Sequence, residues 1–204
     1  MTKNEKMKSA PEKKIVVCIS GMAGTGKSTL AKKLAKKYNL RYFSGGDALK
    51  ELAKDEGYDS SSRGWWESIE GLSFLEKREK NLEFDKAVDD KLLEYAREGR
   101  VLLDSWTMAW LLKTGFKIWL VASVKQRAER IAKRDRIAVK KALQALKEKE
   151  ARTKAIYKKL YGFKLGEDFE PFNLVLDTDN LDTGEVFQVL CMVMDNLVIK
   201  SENL

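Results

Sequence analysis

Apolar residues along this chain of 204 residues form five short runs, separated by longer segments in which apolar positions recur at helical spacing. The first run, residues 15–20, is rich in β-branched side chains, which is typical of a strand buried on both faces of a parallel sheet. Alternating strands and helices predict right-handed βαβ units. We therefore expect an α/β fold of three layers, with helices on both sides of a five-stranded parallel sheet. The predicted strands are residues 15–20, 41–44, 101–104, 116–122 and 172–176.

Two intervals between the predicted strands are too long for a simple crossover connection. Residues 47–99 contain a Trp-Trp pair and a run of charged residues, and residues 124–161 are strongly basic with one break in the helical pattern. The second interval has the pattern of a helical hairpin. We interpret both as helical insertions into a single domain spanning residues 1–204, because this length suits one core better than two independent ones.

Small or polar residues follow most of the predicted strands at their carboxyl ends. A glycine-rich segment follows the first, Gly45-Gly46-Asp47 follows the second, Asp104-Ser105 closes the third, and residues 177–180 follow the fifth. Because the carboxyl ends of parallel strands meet at one edge of the sheet, ligands of open α/β sheets bind there. The sequence therefore predicts a ligand site at this edge.

Composition narrows the classes of protein. Lys and Arg number 39 against 31 Asp and Glu, a formal charge of +8 that suits nucleic acid, an acidic membrane or a phosphorylated small molecule. No apolar run approaches the length of a membrane span, and lysine-rich residues 1–14 lack a hydrophobic signal core, so we expect a cytoplasmic protein without membrane contact. The sequence predicts no particular oligomeric state.

Residue supply limits the chemistry further. There is no histidine, and Cys18 and Cys191 each lie in an apolar segment, where we expect them to be small buried hydrophobes. A Ser-His-Asp triad and a zinc site are thereby excluded. Any catalysis must rely on Lys, Arg, Asp and Mg²⁺.

The segment from Gly21 to Ser28 matches the phosphate-loop pattern G-x-x-x-x-G-K-[ST] at every fixed position, between a predicted strand and a predicted helix. Its glycines let backbone amides turn toward phosphate oxygens, Lys27 adds a positive charge near the β- and γ-phosphates, and Ser28 can ligate Mg²⁺. The segment predicts a P-loop NTPase fold that binds a nucleoside triphosphate. The predicted nucleotide-binding residues are Gly21, Met22, Ala23, Gly24, Thr25, Gly26, Lys27, Ser28 and Thr29.

A basic helix follows the fourth predicted strand. Arg127, Arg130 and Arg134 fall at helical spacing, so we expect one face to present a row of guanidinium groups to phosphate, with Arg130 and Arg134 as catalytic candidates. A solvated helix face with ion pairs such as Glu129 with Lys133 is the alternative. On the returning arm, Arg152 and Lys154 are candidates to close over the same phosphates.

Two carboxylates are candidates for the metal. Asp104 ends a buried strand, where it can face Mg²⁺ through water in the manner of a Walker B acid; a helix N-cap is the alternative. Asp47 is a candidate for the water shell of the metal, or a cap of a helix beginning at Ala48. Among the tryptophans, Trp65 and Trp66 can stack on a base or fill the core, Trp110 is assigned to the core, and Trp106 to the pocket edge.

Taken together, these segments resemble the nucleoside monophosphate kinases, in particular cytidylate kinase-like proteins of archaeal type. The resemblance covers nearly the whole chain. It rests on residues 21–28 (the ATP loop), 42–50 (the start of the monophosphate-binding region), 102–104 (the third-strand acid), 118–135 (the fourth strand and lid), 157–162 and 173–178.

The resemblance implies transfer of the γ-phosphoryl group of ATP to CMP or dCMP, with Mg²⁺, in a site closed by a lid. It implies acceptor-binding roles for Asp47, Lys50, Trp106 and Arg152. Lys50 stands where many relatives have an arginine, and Ser105-Trp106 where many have a Gly-Arg pair, so AMP, UMP or a small metabolite stay open as acceptors. An ATP-dependent nucleic-acid-binding protein is the alternative from another class, disfavoured because no recognition motif is present.

Overall fold

A parallel sheet of five strands forms the centre of the computed structural model, which describes residues 14–199. The strand order is β2-β3-β1-β4-β5, and every neighbouring pair is parallel. This confirms the predicted α/β class and parallel sheet. The strands are β1 (Val16–Gly21), β2 (Arg41–Ser44), β3 (Val101–Asp104), β4 (Phe116–Val121) and β5 (Leu174–Asp177).

Helices fill the intervals between the strands. The interval between β2 and β3 contains three helices and a short 3₁₀ turn, and α6 and α7 form the helical hairpin expected after β4. The helices are α1 (Lys27–Lys37), α2 (Gly45–Asp55), α3 (Ile69–Lys80), α4 (Glu83–Glu98), α5 (Met108–Leu111), α6 (Val124–Asp135), α7 (Val139–Tyr161) and α8 (Thr183–Val193), followed by a π-helical segment (Met194–Ile199). The 3₁₀ turn is Trp65–Glu67.

The two faces of the sheet carry separate apolar cores. Side chains alternate along β1, so Val17 and Ile19 pack with α1 and α8 on one face, whereas Val16 and Cys18 pack with α2 and α4 on the other. Both cysteines are free and buried, as the sequence predicted. Burial raises the pKa of the Cys18 thiol to about 12, so this thiol is inert.

Strand register brings the carboxyl ends of three strands together. Asp104 is the register partner of Ile19 on one side and of Ser44 on the other, and Gly21 is paired with Leu120. The glycine-rich loop after β1, the start of α2 and the end of β3 therefore share one edge, where ligands of open parallel sheets bind.

Local signals explain where the helices begin and break. Ser44 caps α2, because its hydroxyl accepts a hydrogen bond from the Asp47 amide at 3.1 Å. The helix thus begins at Gly45, and the expectation that Asp47 caps a helix starting at Ala48 is wrong. Between α6 and α7 the chain turns at Arg136, which has a φ of 58°, within the break that the sequence indicated.

Within residues 14–199, none of the helices combines the length and the apolar character that crossing a bilayer needs. The lysine-rich segment of residues 1–13 and the last residues of the predicted domain, 200–204, lie outside the described residues.

The 3₁₀ turn is packed directly on α3 through a glycine. A Cβ atom at Gly71 would lie 2.1 Å from the carbonyl oxygen of Trp65. The Trp65 side chain is buried at 1% exposure and contacts Phe74. The close approach of Gly71 to Trp65 therefore fixes the backbone of the whole 3₁₀ turn, including Trp66 and Glu67.

We expect Gly71→Ala to lower the free energy of unfolding by about 2 kcal/mol, since the added methyl group must displace backbone. Urea unfolding followed by circular dichroism measures this. Gly46→Ala is the matched control, because the atom nearest to its Cβ is the Ser44 hydroxyl at 3.7 Å. Equal stability of the two variants would contradict the packing argument.

Candidate functional site

The glycine-rich loop joins β1 to α1, with Gly26 as the residue that precedes the helix. Gly24 has a φ of 84°, and a Cβ there would lie 2.7 Å from the carbonyl oxygen of Arg127. Both the positive φ and the lack of space therefore exclude a side chain at Gly24. Thr25 braces the loop through a 2.9 Å hydrogen bond from its hydroxyl to the Met22 carbonyl.

A cavity of about 500 Å³ opens over this loop at the carboxyl edge of the sheet. It is lined by the loop, by the insertion between β2 and β3, and by the α6–α7 hairpin. Twelve of the residues predicted from the sequence line it: Ala23, Gly24, Gly26, Lys27, Ser28, Thr29, Asp47, Lys50, Asp104, Trp106, Arg130 and Arg134. The structure therefore brings both predicted halves of the site to one cavity.

Four of the residues predicted to bind the nucleotide or the acceptor do not belong to this lining. Gly21 ends β1, Met22 packs in an apolar cluster with Trp119, and Thr25 faces the loop itself. These three shape the loop from behind. Arg152 has a different partner: its guanidinium donates to the Glu79 carboxylate at 2.9 and 2.6 Å, which joins α7 to α3.

Asp104 is buried at 3% exposure and accepts a 3.1 Å hydrogen bond from the Tyr42 hydroxyl. Its carboxylate and the Ser28 hydroxyl line the same cavity, and both are oxygen donors of the kind that Mg²⁺ prefers. Within residues 14–199 no cluster of three or more His, Cys, Asp or Glu side chains could hold a metal ion. Magnesium would thus need the phosphates of a nucleotide as further ligands.

Trp106 supports the phosphate loop. Its indole nitrogen donates to the Gly21 carbonyl at 2.6 Å, and its ring centroid lies 5.6 Å from Lys27 Nζ. The half-buried ring lines the cavity. It therefore stands at the pocket edge, as the sequence indicated, with its polar atom bonded to the loop.

The expectation of a row of three phosphate-facing arginines is wrong for Arg127. This residue is buried at 4% exposure, donates to the carbonyls of Ala122 at 3.0 Å and Ala23 at 3.1 Å, and forms an ion pair with Glu150 of α7. Helical periodicity placed it on the correct side of α6. The phosphate loop and α7, however, cover the first turn of the face of α6 on which Arg127 lies.

The other two arginines of α6 do line the cavity. Arg130 donates to the carbonyl and hydroxyl of Thr178, at 2.9 and 3.3 Å, after β5. Arg134 contacts the carboxylates of Asp135 at 2.6 Å and Glu67 at 3.2 Å. Arg130 is thus held by a residue after β5, whereas Arg134 is held both by its neighbour Asp135 in α6 and by Glu67 of the 3₁₀ turn.

Comparison with known proteins shows the family of this chain. The model of the cytidylate kinase-like family matches residues 16–180. The chain belongs to this family.

Curated relatives match over nearly their whole length. A cytidylate kinase of Methanocaldococcus jannaschii is 37% identical over 188 residues, which cover 90% of this chain and 99% of the relative. Those of Sulfurisphaera tokodaii and Pyrococcus horikoshii are 35% and 33% identical, cover 92% of this chain each, and are matched over 99% and 92% of their own lengths.

Solved structures show the same fold at lower identity. Shikimate kinase from Acinetobacter baumannii, in complex with shikimate, aligns with a TM-score of 0.55 at 16% identity over 92% of this chain and 97% of that chain. Shikimate kinase from Bacteroides thetaiotaomicron aligns with a TM-score of 0.54 at 14% identity, over 90% and 98%. These neighbours support the P-loop kinase fold.

In this cytidylate kinase-like chain, the insertion adds a charged wall to the cavity that sequence reasoning missed. Arg78 donates two hydrogen bonds to Asp85, at 3.0 and 2.6 Å, and both side chains are almost fully buried. Arg78 lay within the charged run after Trp66, where spacing does not tell which charge is buried. Asp85 and Asp89, four residues apart in α4, offered a weak signal.

Asp89 lines the same wall. Its carboxylate accepts hydrogen bonds from the hydroxyls of Thr107, at 2.5 Å, and Tyr161, at 2.8 Å. Burial nevertheless raises its pKa from about 3.8 to about 7, because the two hydrogen bonds offset only part of the desolvation of the charge. Asp89 thus joins the insertion to the end of α7.

We expect the raised pKa of Asp89 to make folding stability fall as pH rises from 4 to 7. In that window the folded protein keeps a proton on Asp89 that the unfolded chain has lost, which costs up to about 1.4 kcal/mol per pH unit. Urea unfolding of the wild type and of Asp89→Asn at several pH values measures this. The stability of the variant relative to the wild type should rise across the window. Parallel curves would contradict the assignment.

Arg127→Met should lower the free energy of unfolding by about 3 kcal/mol, since Glu150 would be left buried without its partner. Replacing both members, Arg127→Met with Glu150→Met, should recover part of the loss. Thermal unfolding compares the two variants. A loss that grows on the second substitution would show that the ion pair is not the cause.

Proposed function

We propose that this protein transfers the γ-phosphoryl group of ATP to a pyrimidine nucleoside monophosphate, CMP or dCMP, and releases ADP and the nucleoside diphosphate. The observation that carries the proposal is that the phosphate loop and the charged wall of Arg78, Asp85 and Asp89 line the same cavity. Membership of the cytidylate kinase-like family supports the same reaction. The names of the curated relatives support CMP as the acceptor.

The donor is assigned to the phosphate loop. Loop amides and Lys27 would bind the β- and γ-phosphates, with the N-terminus of α1 favouring the negative charge. Ser28 and, through water, Asp104 would hold Mg²⁺. When bound, the metal would neutralise charge on the β- and γ-phosphates.

Transfer breaks the bond between the γ-phosphorus and the β-γ bridging oxygen and forms a bond to an oxygen of the acceptor phosphate. That oxygen is already an anionic nucleophile, so the chain's own residues need not remove a proton. Arg130, Arg134 and Lys27, which line the cavity, would stabilise charge on the migrating group. Closure of the α6–α7 lid would exclude water and so suppress hydrolysis of ATP.

The acceptor is assigned to the wall built by the insertion. Asp47 and Lys50 of α2 line the cavity near the loop, and Trp106 lies at its edge. The Arg78–Asp85 pair and Asp89 supply donors and acceptors for the polar edge of a base. Lys50 offers a single charge, whereas an arginine would offer two parallel donors. We therefore expect weaker binding of the acceptor phosphate than with an arginine at this position.

Several wider assignments belong to the same proposal. Residues 47–99 and 124–161 would act as the acceptor-binding and lid insertions of one domain, and the protein would work in the cytoplasm on small nucleotides. Arg152, held by Glu79, would reach the phosphates only after giving up that ion pair. Cations in the cavity account for part of the positive charge, which weakens the case for a nucleic-acid partner.

A coupled assay for ADP release tests the acceptor. Common ribonucleoside and deoxyribonucleoside monophosphates, shikimate and an acceptor-free control are each supplied with ATP and Mg²⁺. CMP or dCMP should give the highest kcat/KM. Preference for AMP, UMP or shikimate would overturn the acceptor assignment, and no turnover with any acceptor would overturn the reaction class.

We expect Lys27→Ala to abolish transfer in a folded protein, and Arg130→Ala and Arg134→Ala to lower kcat by about 100-fold or more, with a smaller effect on ATP affinity. Steady-state kinetics and ATP titration measure the two effects separately. Lys133→Ala, an exposed cation on the same helix outside the cavity lining, is the matched control and should retain activity. A change in KM alone would restrict the two arginines to ground-state binding.

A further inference from the structure

Glu67 is a carboxylate placed among the cations of the cavity. It ends the 3₁₀ turn of the insertion, lines the cavity, and has a side chain only 4% exposed. It contacts one cation from each helix of the lid: Arg134 of α6 at 3.2 Å and Lys149 of α7 at 3.5 Å. A single carboxylate thus joins the acceptor side of the cavity to both arms of the lid.

The backbone that carries Glu67 is held tightly. The Glu67 amide donates to the Gly64 carbonyl at 2.9 Å, Trp65 is buried, and a Cβ on Gly71 would collide with this turn. Its two partners sit on long side chains, and the Arg134 side chain is 50% exposed. The cations can therefore leave the carboxylate more easily than the carboxylate can leave the cavity.

Lys149 is the more buried of the two cations that Glu67 contacts. Its side chain is 12% exposed and lies over the Trp66 ring, 4.9 Å from the centroid. Burial lowers the pKa of Lys149, the charge of Glu67 opposes the decrease, and repulsion from Lys27, Arg134 and Arg78 adds to it, so that the pKa is about 8. Glu67 therefore gives these cations the kind of stabilisation that a phosphate group would give them.

We propose that Glu67 competes with the phosphate groups of a nucleotide for Arg134 and Lys149, and so sets how tightly the cavity binds its ligand. This inference rests on the proposed function, because it takes the ligand to be a nucleoside phosphate. On binding, the two cations exchange the carboxylate for phosphate oxygens. Glu67 is a positioning residue, since it acts through the cations.

Calorimetric titration with ATP, in the presence of Mg²⁺ and without any acceptor, tests the competition. Glu67→Gln should lower the Kd for ATP about three- to tenfold at low salt, because the two partly buried cations would no longer be paired with a carboxylate. Glu56→Gln, which removes a carboxylate of the insertion that pairs with Lys77 outside the cavity lining, should change Kd less than about twofold. Unchanged or weaker ATP binding by folded Glu67→Gln overturns the inference.

A double-mutant cycle separates competition from a structural role. In a Lys149→Met background, most of the gain from Glu67→Gln should disappear, because one of the released cations is absent. A full gain in that background contradicts exchange at Lys149. If Glu67→Gln does not fold, Glu67→Asp gives the test: its shorter side chain should tighten ATP binding in the same direction, and weaker binding overturns the inference.

The coupled assay with different acceptors, combined with the ATP titration, distinguishes failure of this inference from failure of the proposed function. Tighter ATP binding by Glu67→Gln together with turnover on an acceptor other than CMP or dCMP would uphold the competition and reject the acceptor. Turnover on CMP with unchanged ATP binding by the variant would do the reverse.

Discussion

The rest of the site depends on the hydrogen bonds and the ion pair that the buried guanidinium of Arg127 makes. This guanidinium holds the carbonyl of Ala23 in the phosphate loop and that of Ala122 after β4, and it forms an ion pair with Glu150 of α7. Gly24 has no side chain at the point where the Arg127 backbone approaches. On the opposite side, Trp106 holds the Gly21 carbonyl. The loop is therefore held between the end of β3 and the start of the α6–α7 hairpin.

From that base, the structure arranges charges that suit a polyphosphate. Cations reach the cavity from the loop, from the segment between β2 and β3 and from both helices of the α6–α7 hairpin, and buried carboxylates of Glu67, Asp85 and Asp135 accompany them. Because these partners are already oriented, a nucleotide would meet preorganised charge and would not have to order it. This arrangement suits the phosphoryl transfer that we propose for the cavity.

Local patterns predicted much of the fold and the place of the phosphate loop at the cavity. The strands follow from β-branched runs, and the phosphate loop follows from fixed spacing, since both depend on neighbours within a few residues. The family resemblance is confirmed by the match over residues 16–180. The start of the fifth strand was placed two residues too early, and the cap of α2 is Ser44 and not Asp47.

Contacts between distant residues could not be predicted in this way. Arg127 and Arg130 share a helix face, but only the packing of α7 determines which one is covered. Arg152 finds its partner 73 positions away, in Glu79. The contacts of Glu67, Arg78 and Lys149 likewise appear only when the segment between β2 and β3 packs on the α6–α7 hairpin. The part of the cavity lined by that segment depends mainly on such pairs, which is why it was less predictable than the phosphate loop.

The central claim is that this cavity passes a phosphoryl group directly from ATP to a nucleoside monophosphate. The most direct test follows the label from ATP carrying a radioactive γ-phosphoryl group, incubated with Mg²⁺ and CMP, with the products separated by chromatography. The account predicts that the label appears in the β-phosphate of CDP in an amount equal to the ADP formed. Label found in inorganic phosphate, with CMP unchanged, would contradict it.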